Sequence, residues 1–339
     1  MIISQTPLRI SFFGGGTDYP AWFREHGGAV ISTSINKYAY LTVRHLPPFF
    51  EHKHRVVYSI VETVQHHNEI KHPVIRAVME EMKIEQGLEI HYDGDLPAKS
   101  GLGSSSTFTV GLLNTLSAMK GLMISKRDLA KWAVDVEQNL LKEVVGCQDQ
   151  IAAALGGFNR IDFHTNGDFT AHPVIIAPQR LQELNQRLLL FFTGTSRFAS
   201  SIAESQVKNF KSKTHELNLI RSMVDEAQTI LQNSNRSLDE FGRMLHESWL
   251  LKRSLSNLVS TPHIDEIYDT ALAAGALGGK VLGAGGGGFM LFDVPLEKQP
   301  SVRSALRHLI EVDYRFESGG SQIILYNPDK AIFRRSWNE

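Results

Sequence analysis

A single cysteine, Cys147, stands among 339 residues, which excludes an internal disulfide and any zinc site built from several thiolates. Alone, it reads as a small buried apolar side chain. Charge of one sign is missing as well. Lys and Arg number 35 against 36 Asp and Glu, a net charge of -1, so no overall field marks a nucleic acid or a membrane as a partner. Any bound anion must be held by a local site. No long hydrophobic run occurs: the densest, Leu188 to Phe192, is far too short to span a bilayer, and Met1 to Pro7 lacks a basic leader and apolar core. A soluble cytoplasmic protein is therefore expected. The His-x-Glu of His67 to Glu69 has no Pro-Cys-x-x-Cys partner, which removes zinc deaminase chemistry. His52, His54, His66, His67 and His72 then read as a solvated polar loop.

What is present is ample apolar material, 42% of residues, in a length that favours two domains. Leu8, Ile10 and Phe12 alternate with Arg9 and Ser11, the period of a half-buried strand that turns Arg9 away from the apolar face. Further strands are expected at Ala29 to Ile35, Tyr38 to Arg44, Val56 to Val61 and Leu88 to Tyr92, with a helix from Pro73 to Met82. Ser125 to Asp128 forms a capping-box pattern ahead of Leu129, Ala133, Val136 and Leu140 at helical spacing. One amphipathic helix is expected there to about Glu143, with Glu137 at the edge of its stripe. Character changes near residues 180–187, placing domains at 1–185 and 186–339. The second half is expected to hold a strand at Leu188 to Phe192, helices from Ser200 to about Ser256 and from His263 to Ala274, and strands flanking Gly283 to Gly288. A helix around Ser301 to Ile310 and a strand at Gln322 to Tyr326 complete it.

Three segments carry chemistry. In Asp95-Leu-Pro-Ala-Lys-Ser100-Gly-Leu-Gly-Ser-Ser-Ser106, glycines allow close backbone approach and serines open a helix. Free amides and the helix dipole there suit a nucleotide's phosphates. It is not a Walker A loop, which needs a lysine where this chain has serines. The glycines of Gly283-Ala-Gly285-Gly286-Gly287-Gly288 lead into a second strand, not a helix, so the dinucleotide-binding reading fails and a tight hairpin facing a ligand remains. A protein-kinase loop is also excluded, because no His-Arg-Asp or Asp-Phe-Gly follows. In Pro7-Leu-Arg9-Ile-Ser-Phe-Phe-Gly14-Gly15-Gly16-Thr17-Asp18, a strand bearing Arg9 ends in a turn bearing Asp18. That carboxylate can accept sugar hydroxyls, and the arginine can offset phosphoryl charge. A fourth stretch, Phe192-Thr-Gly-Thr-Ser-Arg197-Phe-Ala, sets hydroxyls and Arg197 between a strand and a helix, a candidate second anion site.

In that order, the first three segments resemble the three motifs of the GHMP kinases, which phosphorylate galactose, homoserine, mevalonate and phosphomevalonate. The N-terminal motif and Gly27-Gly-Ala-Val-Ile-Ser-Thr-Ser-Ile-Asn-Lys-Tyr look most like the D-glycero-D-manno-heptose 7-phosphate kinases, with fucokinases as relatives. The resemblance implies an α+β, two-domain kinase whose active site lies in the cleft between an N-terminal α/β domain and a C-terminal ferredoxin-like domain. It implies ATP and Mg²⁺ as cofactors and a phosphosugar as substrate. By it, Asp149 and Arg9 are catalytic and Ser100, Gly101, Leu102, Gly103, Ser104, Ser105 and Ser106 hold the ATP phosphates. Ser105 and Glu137 ligate the metal. Gly15, Gly16, Thr17 and Asp18, with Gly285, Gly286 and Gly287, meet the substrate. Galactokinases carry Gly-Glu-His-Thr-Asp where this chain has Gly14 to Asp18. Gly15 therefore leaves room for a seventh carbon and removes repulsion of its phosphate. A fucose- or galactose-type 1-kinase and a non-catalytic sugar sensor are the alternatives, and a mevalonate-type kinase usually has lysine at the Arg9 position.

Overall fold

The computed structural model describes residues 1–98, 100–194 and 199–328. The chain begins β1 (Ile2–Phe13), α1 (Pro20–His26), β2 (Gly28–His45), β3 (His54–Val57), β4 (Val61–Val64), α2 (Pro73–Glu81) and β5 (Leu88–Gly94). It continues α3 (Ser104–Met119), α4 (Lys126–Asp135), α5 (Gln148–Leu155), β6 (Phe158–Phe163), β7 (Phe169–Pro173), α6 (Pro178–Arg187) and β8 (Leu188–Phe192). Helices α7 (Ala199–Asn209), α8 (Thr214–Gln232), α9 (Leu238–Ser254) and α10 (Pro262–Ala273) follow. The chain closes with β9 (Gly278–Val281), β10 (Phe289–Asp293), α11 (Gln299–Ala305), β11 (Ile310–Glu311), β12 (Phe316–Glu317) and β13 (Gln322–Tyr326). No helix among the described residues is long and apolar enough to cross a membrane.

The spine of the first sheet is β2, 18 residues long, paired along one edge with β1 and along the other with β6 and then β5. The two strands expected at Ala29 to Ile35 and Tyr38 to Arg44 are thus one. The break in their pattern is a register shift: Pro7 pairs with Tyr38 but Leu8 with Ile35, which leaves Asn36 and Lys37 without partners on β1. A second shift falls between Ser11 and Phe13. Such irregularities bend a strand and re-aim its side chains, and both flank Arg9. The outer edge of β1 is covered by β13 (Ile2 opposite Tyr326), while β12 pairs with β2. The strand expected to finish the second half therefore finishes the first sheet, satisfying an edge that would otherwise be an open template.

The second sheet is antiparallel, in the order β11-β8-β10-β9. One apolar cluster lies under the first sheet with α2 to α5, another behind the second sheet with α9 and α10. The third joins the halves: Leu8, Ile10, Phe12 and Phe13 of β1 meet Phe241 of α9 and Leu190 and Leu291 of the second sheet. Phe12 stacks on Phe158 at 5.4 Å and meets Phe241 edge-on at 5.5 Å. The solvated histidine loop needs one correction. His54 is buried, its Nδ1 accepts from the Leu88 amide at 3.3 Å, and burial pushes its pKa down to about 4.

Helix α3 is buried on nearly every side, and small hydroxyls replace leucines where it meets β1. Ser4 donates to the Gly111 carbonyl at 3.1 Å and Thr115 donates to Ser4 at 2.7 Å. At its N-terminal end the two glycine segments touch backbone to backbone. A β-carbon on Gly101 would lie 2.3 Å from the Leu282 carbonyl oxygen, and one on Gly288 would lie 2.2 Å from that of Ser100. The Phe289 amide donates to the same Ser100 oxygen at 3.1 Å. Gly288 also has φ +93°, which an L side chain adopts only under strain. Gly288→Ala should therefore cost about 2–4 kcal/mol and lower the melting temperature by about 4 °C or more, measured by differential scanning calorimetry.

Candidate active site

A cavity of about 520 Å³ opens beside that contact, lined from both halves of the chain. On one wall Arg9 grips Asp149. Its Nε donates to Oδ1 and its Nη2 to Oδ2, both at 2.7 Å, while Nη1 donates to the Gly101 carbonyl at 2.7 Å. A two-pronged arginine–carboxylate pair fixes direction as well as charge. It ties β1, α5 and the phosphate loop together at one point. Arg9 is buried, whereas the Asp149 side chain keeps a quarter of its surface open to the cavity.

Asp18 lies next to this pair. Its Oδ1 accepts from the Gly16 amide at 2.9 Å. Burial pushes it above the usual carboxylate range, against the Gly16 hydrogen bond and with a smaller push from Asp149. Gly146 is a glycine for a local reason: a β-carbon there would fall 1.9 Å from Asp18 Oδ2.

Glu137 is fully buried, although its helix was expected to run regularly to about Glu143. The α-helical turns stop at Asp135, and Val136–Leu140 form a wider π-helical turn, a feature that often marks functional sites. That turn carries Glu137 inward. Its Oε2 accepts from Ser106 Oγ at 2.9 Å and from Gln150 Nε2 at 2.6 Å, while its Oε1 is buried with no hydrogen-bond partner among the described residues. Burial pushes this carboxyl up to about 7, against the donors around it. A buried carboxyl oxygen on the wall of such a cavity, in a group that pays to be charged alone, suits a hard cation. Ser105 is exposed in the same cleft.

The expected residues divide. Arg9, Gly15, Gly16, Asp18, Gly101, Gly103, Ser104, Ser105, Ser106, Glu137 and Asp149 line one cavity. Ser100, Leu102 and Thr17 do not. Ser100 Oγ donates to Pro97 O at 2.6 Å, Leu102 accepts from the Arg9 amide at 3.1 Å, and Thr17 Oγ1 donates to the Gly14 carbonyl at 2.8 Å, so they brace the loops. Gly285, Gly286 and Gly287 also lie outside the cavity lining, which takes Gly283 and Ala284 instead; the Gly286 amide donates to Val259 O at 2.8 Å. Arg197 falls outside the described residues.

Comparison with known proteins decides the family. Residues 68–157 match the GHMP kinases N terminal domain and residues 223–311 the GHMP kinases C terminal domain. The D-glycero-alpha-D-manno-heptose 7-phosphate kinase of Campylobacter jejuni is 31% identical over 90% of this chain and 93% of its own length. The chain belongs to the GHMP kinase family. As a GHMP kinase it is an ATP-dependent sugar kinase. The bifunctional fucokinase/GDP-fucose pyrophosphorylase of Arabidopsis thaliana is 25% identical over 92% of this chain, which spans about a third (32%) of that longer protein. A crystal structure of a D-glycero-D-manno-heptose 1-phosphate kinase from Bacteroides thetaiotaomicron superposes with a TM-score of 0.77, at 24% identity over 95% of this chain and 98% of the other. It shares the fold.

Two cavity residues of this GHMP kinase escaped the motifs. Lys252 of α9 donates to the Gly283 carbonyl, and Lys280 of β9 donates to the Phe12 carbonyl at 2.7 Å; both are buried. A signal was available for Lys252: it continues the buried stripe Leu238, Phe241, Leu245, Trp249 at helical spacing, where a lysine is out of place. Burial, and then the Arg9 charge, push Lys252 down to about 8, while Asp18 and Asp149 oppose the shift. Its folded pKa lies below the unfolded value, so the unfolded chain binds more protons above pH 8. A charged ammonium in this cavity suits an anionic nucleotide, so the catalytic rate should fall as pH rises through about 8, and Lys252→Arg should move that fall upward. Over the same range wild type should gain stability relative to Lys252→Met. Rate profiles and melting curves from pH 6 to about 10 check both signs.

Proposed function

We propose that this GHMP kinase transfers the γ-phosphoryl group of ATP to the anomeric hydroxyl of D-glycero-D-manno-heptose 7-phosphate, giving the 1,7-bisphosphate. The observation that carries this reading is the glycine at position 15, on the wall of the cavity that holds the Arg9–Asp149 pair. A β-carbon on Gly15 would already touch Gln148 Nε2 at 3.6 Å and Ser11 Oγ at 3.8 Å, so the glutamate that galactokinases carry there would fill space that this chain leaves to the acceptor. The heptose kinase of Campylobacter jejuni supports the same sugar. We place the reaction in the cytoplasm, on the route to a GDP-activated heptose for a surface polysaccharide such as a capsule.

In this reading Gly101, Gly103 and Ser104 to Ser106 receive the triphosphate at the start of α3, where amides and dipole face the anion. Glu137 and the Ser105 hydroxyl would hold Mg²⁺, which when bound neutralises charge on the β- and γ-phosphates. Ser106 and Gln150 position the Glu137 carboxylate for that task. Asp149 orients the attacking hydroxyl and takes its proton. Because Arg9 occupies both of its oxygens, proton transfer comes late, as suits a loose phosphoryl transition state that asks little of a base. Asp18 accepts further sugar hydroxyls, and Arg197 is assigned to the substrate's own phosphate.

The test is an ATP-coupled assay across free and terminally phosphorylated hexoses and heptoses, with phosphorus NMR to locate the new phosphate. Fastest turnover of another sugar, or a product phosphorylated away from the anomeric carbon, would overturn the assignment. Asp149→Asn should lower kcat by roughly 10²–10⁴-fold while nucleotide affinity, read by calorimetry, stays unchanged. Glu137→Gln and Ser105→Ala should each raise the Mg²⁺ concentration needed for half-maximal rate; an unchanged titration in both places the metal elsewhere.

A further inference from the structure

Two polar side chains on the cavity wall are left without a protein partner. The Ser11 hydroxyl and the Gln148 carboxamide oxygen are both buried, in residues 5% and 8% exposed, and neither makes a hydrogen bond among the described residues. Both residues line the cavity that holds Arg9, Asp18 and Asp149. The Ser11 hydroxyl and the amide nitrogen of the Gln148 carboxamide converge on one spot: the position of a Gly15 β-carbon lies 3.8 Å from Ser11 Oγ and 3.6 Å from Gln148 Nε2. Unpaired buried polar groups are costly and uncommon in native proteins. By contrast the Thr17 hydroxyl, on the same turn, reaches the carbonyls of Gly14 at 2.8 Å and Ala29 at 3.0 Å.

A ligand can supply the missing partner, and its chemistry is constrained. A hydroxyl can accept from Gln148 Nε2 and donate to Ser11 Oγ at once. An apolar fragment would leave both groups unpaired, and an anion would meet the Asp18 and Asp149 carboxylates alongside. Gln148 directly precedes Asp149 on α5, and its amide lies 3.5 Å from Asp18 Oδ2. A hydroxyl held here is thus registered against both carboxylates. Gly15 keeps the approach clear; any side chain at that position would stand between the two groups and the ligand.

We propose that Ser11 and Gln148 form a hydroxyl-reading subsite, which pairs with one sugar hydroxyl other than the one phosphorylated and so sets which polyol the enzyme accepts. This rests on the sugar-kinase reading of the site, and not on heptose as the sugar.

Wild type is first assayed with ATP against D-glycero-D-manno-heptose 7-phosphate, fucose and galactose. The sugar turned over fastest is then compared with its monodeoxy analogues in wild type, Ser11→Ala, Gln148→Leu and Gln148→Asn. The choice of sugar tests the proposed function; the comparison with analogues tests the subsite whichever sugar wins. Each variant should lose at least about tenfold in kcat/KM for the parent sugar and keep its KM for ATP within about twofold. For one monodeoxy analogue, wild type and variants should be equally fast, because the missing hydroxyl and the missing partner are the same interaction. An equal loss against every analogue, or no loss against the parent sugar, overturns the subsite. Should Gln148→Leu not fold, Gln148→Asn, which keeps the amide but withdraws it, and Ser11→Ala must show the same coincidence, and its absence in both is equally fatal.

Discussion

Everything in the catalytic cleft hangs on a contact that involves no side chain. The phosphate loop at Ser100–Gly101 and the hairpin at Gly283–Gly288 approach until a single β-carbon on either would overlap the other's backbone. Only glycine tolerates both that proximity and the positive φ found at Gly101, Gly283 and Gly288. The contact fixes where α3 begins relative to the second sheet, and hence the shape of the cavity between them. Arg9 reinforces it from below, since one guanidinium holds the Gly101 carbonyl and the Asp149 carboxylate together.

The same burial acts on the ionisable groups in opposite directions. It pushes the carboxyls of Glu137 and Asp18 up and the ammoniums of Lys252 and Lys280 down, because the charged form is the one that loses its hydration. Each charge is therefore costly to hold there without an opposite charge beside it. Under the proposed function a nucleotide and its metal would supply both signs, which is how preorganised sites concentrate electrostatic work on the transferred group.

How far the sequence disclosed this depends on whether the deciding contacts are local. Strand Leu188–Phe192 and the helices opened by Pro73 and Pro262 follow from periodicity and from proline at the first helical turn. The capping of α4 by Ser125 is equally local. By contrast, β6 was obscured because Asn159 occupies one of its buried positions, satisfied by the Gly156 carbonyl at 2.6 Å. The strand at Gln322–Tyr326 was legible as a strand but not as a partner of β1, since pairing across the whole chain leaves no trace in spacing. Glu137 and Asp149 were legible through resemblance alone. The π-helical turn that swings Glu137 inward has no pattern of its own, and Lys280 looks like any strand residue until the Phe12 carbonyl is placed above it.

That last strand has a further consequence. The Met1 carbonyl accepts from the Asn327 amide at 2.9 Å, so the first and last described segments are neighbours in one sheet. On a ribosome, β1 emerges long before β13, and until then its outer edge stays uncovered. Domains generally fold as their sequence becomes available, but here the first sheet can be assembled only up to an exposed edge until β13 leaves the exit tunnel. Completion of the first sheet is thereby tied to β13: a chain without those residues retains every residue lining the cleft and still presents an open strand edge, the kind of surface on which chains aggregate.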